Sequence, residues 1–365
     1  MFCTECGQKL NDDAKFCSNC GVPQKKADNG GTGQTEAPAA NKAEKAAEPA
    51  SFVIPNMVED SIESVMAAIS SNGKYLAMKE QGKSELEIMD TTTGKIFQSI
   101  AWNKDWGSME ENSIAAVSND GNYVTILSFD HTHVVNVQNG EQIYLSRRMN
   151  SGGNSSFSWD NKRLAYYDGD KALSVINIPK GNTLLSISVS FLDYLTLSPN
   201  GHYLGIHHYY DGETAIYDAR TGSKLYILDP YCATGENRCF TSISFSHDGK
   251  QIITATPEGT IKTWDATTGN MLLQFGDKIT ISSSGIWGPK TFVRFSPCDR
   301  VAVVGYDQPH ENGCIQIFNV ETGEMLKQLG SQERGIEWVS YSADGKKLIS
   351  YSGSCNGTLK FWAVG

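Results

Sequence analysis

Basic charge is scarce in this sequence: 31 Lys and Arg against 41 Asp and Glu leave a formal net charge of −10. A polyanion is therefore disfavoured as a default partner, because phosphate binding draws on clustered Lys and Arg. Long apolar runs are missing too, and no stretch reaches the roughly eighteen apolar residues that a membrane-spanning helix needs. The opening "MFCTECGQKL" has neither the basic n-region nor the apolar core of a secretory signal, so the expected location is cytoplasmic. There is no G-x-S-x-G elbow, no P-loop and no H-E-x-x-H, which removes the commonest hydrolase, nucleotide and metalloprotease signatures. The glycines of "GGTGQT" follow no strand-like run and read as linker, not as a phosphate cradle.

What is plentiful is glycine, 35 residues at recurring places, and cysteine at one end of the chain. Cys3, Cys6, Cys17 and Cys20 form the pattern C-x2-C-x10-C-x2-C. Two residues between thiols let one tight knuckle present both sulfurs to a metal, and two knuckles complete a closed tetrahedral site. The halves agree: "FCTECG" and "FCSNCG" each put Phe before the first Cys and Gly after the second. So short a segment has no self-supporting core, and the metal must supply most of its folding free energy. Four thiolates leave no open coordination position, so the expected cofactor is one structural Zn2+. Over about twenty residues this stretch resembles the zinc-ribbon modules at the head of bacterial multidomain proteins.

Residues 23–50 follow, Ala, Pro, Gly, Lys and Glu with no aromatic side chain. Such a segment buries too little to offset its ordering entropy and is expected to be a flexible, disordered linker. The domain organisation is therefore 1–22 zinc ribbon, 23–50 linker and 51–365 body.

The body repeats. A Ser, a polar turn and an apolar pair recur as "SSNGKYL" at Ser70, "SNDGNYV" at Ser118, "SWDNKRL" at Ser158 and "SPNGHYL" at Ser198. They return as "SHDGKQII" at Ser246, "SPCDRVAV" at Ser296 and "SADGKKLI" at Ser342, with spacings of 48, 40, 40, 48, 50 and 46 residues. A second landmark follows the first six, running from "IMDTTTGKI" to "IFNVETGEML": an alternating run, Asp or Asn, a turn ending in Gly, another apolar run. Each repeat reads as four strands joined by tight turns, which is a β-propeller blade. The fifth, "TSISFSHDGKQIITATPEGTIKTWDATTGNMLLQF", resembles a WD-repeat blade, including Trp264-Asp265. The resemblance covers the whole body and implies an all-β fold, a seven-bladed WD-repeat-like β-propeller. The dipeptide has drifted to Met89-Asp90, Tyr217-Asp218 and Phe318-Asn319, and the Gly-His pair that opens typical blades is missing, which puts the family's buried hydrogen-bond tetrad in doubt. The last copy ends in "TLKFWAVG", a third strand, so an outer strand has to come from elsewhere. In the family it comes from the start of the domain, and the expectation is that residues 51–57 pair beside 358–364.

Chemistry is sparse. His131 and His133 alternate along one strand, and His207, His208 and His310 lie near other connections on the same face. Polar loop residues in separate blades are the simpler reading, and a second metal site the sharper one. Cys232, Cys239, Cys298, Cys314 and Cys355 have no ligand spacing and read as small buried fillers. The long, variable connections carry Trp102, Trp106, Tyr231, Trp287, Tyr306 and His310, with Tyr209 and Tyr210 close by. Aromatic residues on loops held by a rigid frame are what interaction hot spots use; the blander reading has several of them packing down over the channel rim.

The function expected is a non-enzymatic protein-protein interaction scaffold, a monomeric platform for a protein or peptide partner, with the zinc module as a second contact. The alternatives are a nucleic-acid-associated regulator reading through the zinc ribbon, for which Lys9, Lys15, Lys25 and Lys26 are a thin basic set, and a propeller enzyme.

Overall fold

The computed structural model describes residues 55–103, 106, 113–127, 131–147, 154–167, 172–178, 180–189, 192–208, 212–229, 242–276, 291–306, 313–332, 335–353 and 357–364. The chain divides into two units, Met1–Ser51 and Phe52–Gly365, and every described residue lies in the second. The four zinc-ribbon cysteines and the linker are thus outside the described residues.

Residues 113–147, 155–188, 192–229, 242–275 and 291–332 each form a four-stranded antiparallel sheet in simple meander order. The second strands of the blades are buried on both faces, as in Val301–Tyr306, where all six residues are buried. That is why they read as continuous β-branched runs instead of alternating ones. The outer strands, such as Met271–Phe275, keep one face wet. Apolar side chains cluster between blades, for example Ile253, Ala255 and Ile261 of blade five with Val293, Ala302 and Val304 of blade six. Among the described residues there are seven such clusters, one for each neighbouring pair, and one of them joins Ile349 and Leu359 of blade seven to Val65 and Leu76 of blade one. Seven interfaces for seven blades make a closed ring.

Closure rests on one strand, Pro55–Ile69, which serves two blades. Its first part pairs with Gly357–Val364, from Pro55 opposite Val364 to Ile62 opposite Leu359; Val65–Ile69 then pairs with Tyr75–Glu80. The expected 51–57 window overlaps this strand only at Pro55–Met57, and residues 51–54 lie outside the described ones. The seam is also tied by Trp338 Nε1 donating to Ala67 O at 3.1 Å and Tyr351 Oη to Val65 O at 2.9 Å.

The repeated serine sets the first turn. In all seven blades its Oγ accepts the N–H of the residue five positions on, as Ser70 does from Tyr75 and Ser342 from Lys347. In six blades the same hydroxyl donates to an Asp or Asn two residues on, at 2.6–2.8 Å. Blade six has Cys298 there, with Sγ 3.3 Å from Ser296 Oγ. The Asp or Asn of the second landmark likewise accepts turn amides, as Asp265 does from Thr267 and Thr268. Each such bond contributes about 1 kcal/mol net, so the frame depends on many small, repeated terms.

Two first turns put Asn161 (φ 57°) and Asp299 (φ 58°) where the other five have glycine. A left-handed backbone costs a non-glycine residue roughly 1–2 kcal/mol. Both side chains offset this across a blade boundary. Asn161 Oδ1 accepts from Asn119 N at 2.7 Å, and Asp299 accepts from the backbone N–H groups of His247 and Asp248 and lies 2.9 Å from His247 Nδ1.

The tetrad survives in part. Trp264 Nε1 donates to Thr254 Oγ1 at 3.0 Å and Trp362 Nε1 to Ser350 Oγ at 2.9 Å. The tryptophan-to-hydroxyl half is kept in blades five and seven.

Candidate interaction surface

The tight turns, two in each of the first six blades and one in the seventh, lie at one end of the sheets, and the variable connections join strands at the other. On that second face, between blades one and two, Lys79 and Glu80 end the strand Tyr75–Glu80, whose first four residues are apolar and buried. Its side chain is buried, and its Nζ donates to the carbonyls of Glu80, at 2.8 Å, and Lys83. Burial holds its pKa below the ordinary lysine value. The same amine sits 5.8 Å from the Trp102 ring, and Trp102 meets Trp106 edge to face at 5.1 Å. Above it, Lys83 reaches Glu80 at 2.6 Å and Glu87 at 3.2 Å, an exposed trio that adds polarity but little stability.

This geometry corrects part of the aromatic-rim expectation. Trp106 is 1 % exposed and packs with Met66, Ile114 and Val124, so it is a plug between two blades. Tyr306 is 2 % exposed and belongs to the cluster between blades five and six. An indole or phenol ring offers its large apolar area to whichever apolar surface is nearest, and here the blade faces are nearer than any partner. Trp102 is partly buried, packed against the same cluster as Trp106. Tyr209, Tyr210, Tyr231, Trp287 and His310 lie outside the described residues, as do Cys232, Cys239 and Cys355.

The described histidines do not converge on one site. His131 and His133 are neighbours with ring centroids 5.9 Å apart; His207 Nδ1 lies 2.9 Å from Thr214 Oγ1, and His208 Nε2 3.3 Å from Tyr217 Oη. Among the described residues no three His, Cys, Asp or Glu side chains gather as a metal site would require. Of the supposed buried cysteines, Cys314 is partly buried, with its thiol pKa pushed up by burial, whereas Cys298 is exposed on the tight-turn face.

A groove of about 520 Å³ opens between the outer parts of blades three and four, lined by Ile187, Ser188, His208, Glu213, Tyr217 and Lys224 among others. Glu213 and Lys224 form an ion pair across it, and Lys224 Nζ also lies 5.7 Å from the Tyr217 ring. The bond to Glu213 raises the Lys224 pKa. Sequence reading missed this groove because its residues come from two blades. The signal for Lys79 was legible: a lysine directly after four apolar residues of a strand. So were Asn161 and Asp299, which stand at a turn position that is otherwise glycine.

The ring and its turns define a β-propeller built of WD repeats. A family model for the WD domain, G-beta repeat, matches residues 230–265 and 323–363, and one for a zinc-ribbon domain matches residues 2–23. WD repeat-containing protein 1 of Gallus gallus is 23% identical over 209 residues, 55% of this chain and 31% of that protein. Periodic tryptophan protein 2 of Saccharomyces cerevisiae is 23% identical over 212 residues, 49% of this chain and 22% of that protein. The guanine nucleotide-binding protein subunit beta of Oryza sativa subsp. japonica is 25% identical over 222 residues, 58% of this chain and 52% of that protein. The chain thus spans between about a fifth and about half of the curated relatives it matches. Its blades are WD-repeat-like, two stretches of them match the WD model, and a segment at 2–23 matches the zinc-ribbon model.

Proposed function

We propose that the chain is a non-enzymatic scaffold that binds a protein partner on the face carrying the variable connections, with the zinc ribbon as a second, tethered contact. The observation that carries this reading is the division of labour between the faces. One face is held by repeated serine and Asx bonds; the other is where length and sequence vary, as on other rigid frames that present binding loops. Relatives built of the same repeat, one of them named as a subunit of a larger protein, support the same class of role.

The cysteine set fits one zinc: four soft donors at knuckle spacing, Cys3, Cys6, Cys17 and Cys20, with no position left for a reacting water. The metal's part is to fold the segment. Linking it to the ring raises the effective concentration of the second contact once the first is made, so two weak contacts act as one stronger one. Reduced thiols at this spacing suit a cytoplasmic setting.

The test is a pull-down with the full chain, the Cys17→Ser chain and a chain lacking residues 1–50. A partner held by the full chain and released stepwise by the two variants supports two-point binding. Equal capture by all three refutes the role of the ribbon. Salt-dependent DNA or RNA binding in a gel shift, lost on Cys17→Ser, would replace the scaffold reading with the nucleic-acid one.

A further inference from the structure

The outer strand of blade three, Thr183–Ser188, is the free edge of its sheet and reads TLLSIS, without charge or proline. Free edges are ordinarily blunted by a charge, a proline or a sharp twist, because their unpaired amides and carbonyls template another strand. Most other outer strands here follow that rule, with Lys95, Arg147, Lys224 and Lys327. Blade five's Met271–Phe275 is uncharged as well, so a bare edge alone does not single out blade three.

Blade three combines the bare edge with the groove. Ile187 lies against Gly222, the second-turn glycine of blade four, as Ile100 does against Gly140 and Ile143 against Gly181, whereas the next two interfaces have the rings of Tyr226 at Gly269 and Phe275 at Gly323. Leu185 and Ile187 pack toward blade four while Leu184, Ser186 and Ser188 are exposed, which gives the edge the period of two that a paired strand would share.

The polar groups in the groove select the occupant. Glu213 and Lys224 cancel each other, so an entering charge meets a like charge at close range. A neutral amide suits both, since Lys224 Nζ has protons left to donate and Glu213 a second oxygen to accept. We propose that the edge of Thr183–Ser188 is a strand-addition site for an extended peptide of low charge, with an Asn or Gln side chain entering the groove beside Glu213, Tyr217 and Lys224. Main-chain bonds to the edge supply affinity, and the groove supplies choice. The site lies on the outer wall of the ring and does not depend on the loop face.

The test is selection of phage-displayed random linear peptides on the full-length chain, with enriched sequences measured as synthetic peptides by titration calorimetry. Enriched peptides are expected to alternate apolar and polar residues around one Asn or Gln, and to slow hydrogen exchange within Thr183–Ser188. Two variants follow: Ile187→Tyr, which copies Tyr226 at Gly269 and fills the groove, and Leu184→Lys, which puts a charge on the edge at a 48 % exposed position. Each should weaken binding by roughly ten-fold or more, as a blunted edge or a filled pocket does. If Ile187→Tyr fails to fold, Leu184→Lys carries the comparison alone. Failure to enrich any peptide overturns the proposal, and so does equal binding to the folded variants or protection appearing only elsewhere. None of these outcomes bears on partner capture by the loop face, which Leu184→Lys should leave unchanged.

Discussion

Replacing Trp106 by alanine separates a packing role from a binding role on the loop face. A buried Trp removes about 150–250 Å² from water. At about 25 cal/mol per Å² that is about 4–6 kcal/mol, an upper bound because the unfolded chain is already partly compact. Truncations of buried aromatic residues to Ala cost about 3–5 kcal/mol. In a domain of this size each kcal/mol moves the melting temperature by roughly 2 °C, so a fall of about 6–10 °C is expected. Trp102→Ala removes a partly buried ring and its contact with Lys79, worth about 1–2 kcal/mol, and should lower the melting temperature by about 2–4 °C. The assay is a thermal melt by near-ultraviolet circular dichroism, run beside the pull-down. If Trp106→Ala melts within about 2 °C of the parent while losing its partner, the burial argument is wrong and Trp106 is a contact residue.

Three further outcomes follow from the turns. Cys298→Asn restores the acceptor that Asn72 and Asn200 provide in their own blades, and a scanning calorimeter should register a gain of about 0.5–1 kcal/mol. Gly269→Ala forces a side chain onto φ +73° with its Cβ 2.6 Å from Tyr226, so urea melts should show a loss of about 1–3 kcal/mol. Turn amides hold the Asp265 carboxyl below its ordinary pKa, Thr268 N–H foremost; at Asp218, Asp248 and Asp344 burial pushes the other way and hydrogen bonds outweigh it. A depressed folded pKa adds stability that is present above the unfolded value and lost as pH falls through the folded one. Melting temperature should therefore be level above about pH 5 and decline below about pH 4, and a decline already complete by pH 5 would contradict that origin.

Much of the fold was legible because a blade repeats. "SHDGKQII" and its six counterparts carry their turn chemistry locally: the Ser hydroxyl, the acidic or amide acceptor and the glycine all act within six residues. Local hydrogen bonds leave local signatures. Burial of individual rings was not legible, since Trp106 and Trp102 look alike in "AWNKDWG" yet one is fully buried in the core between two blades and the other only partly.

The order of strands, the count of seven and the missing outer strand were determined by the sequence alone, because spacing and turn residues are properties of the chain taken in order. The tertiary structure decided what lies between blades. It set where the closing strand registers against Gly357–Val364, it paired Asp299 with His247 across a boundary, and it left a groove where Ile187 meets Gly222. Each of these depends on the sizes of side chains far apart in the chain, and only packing brings them face to face.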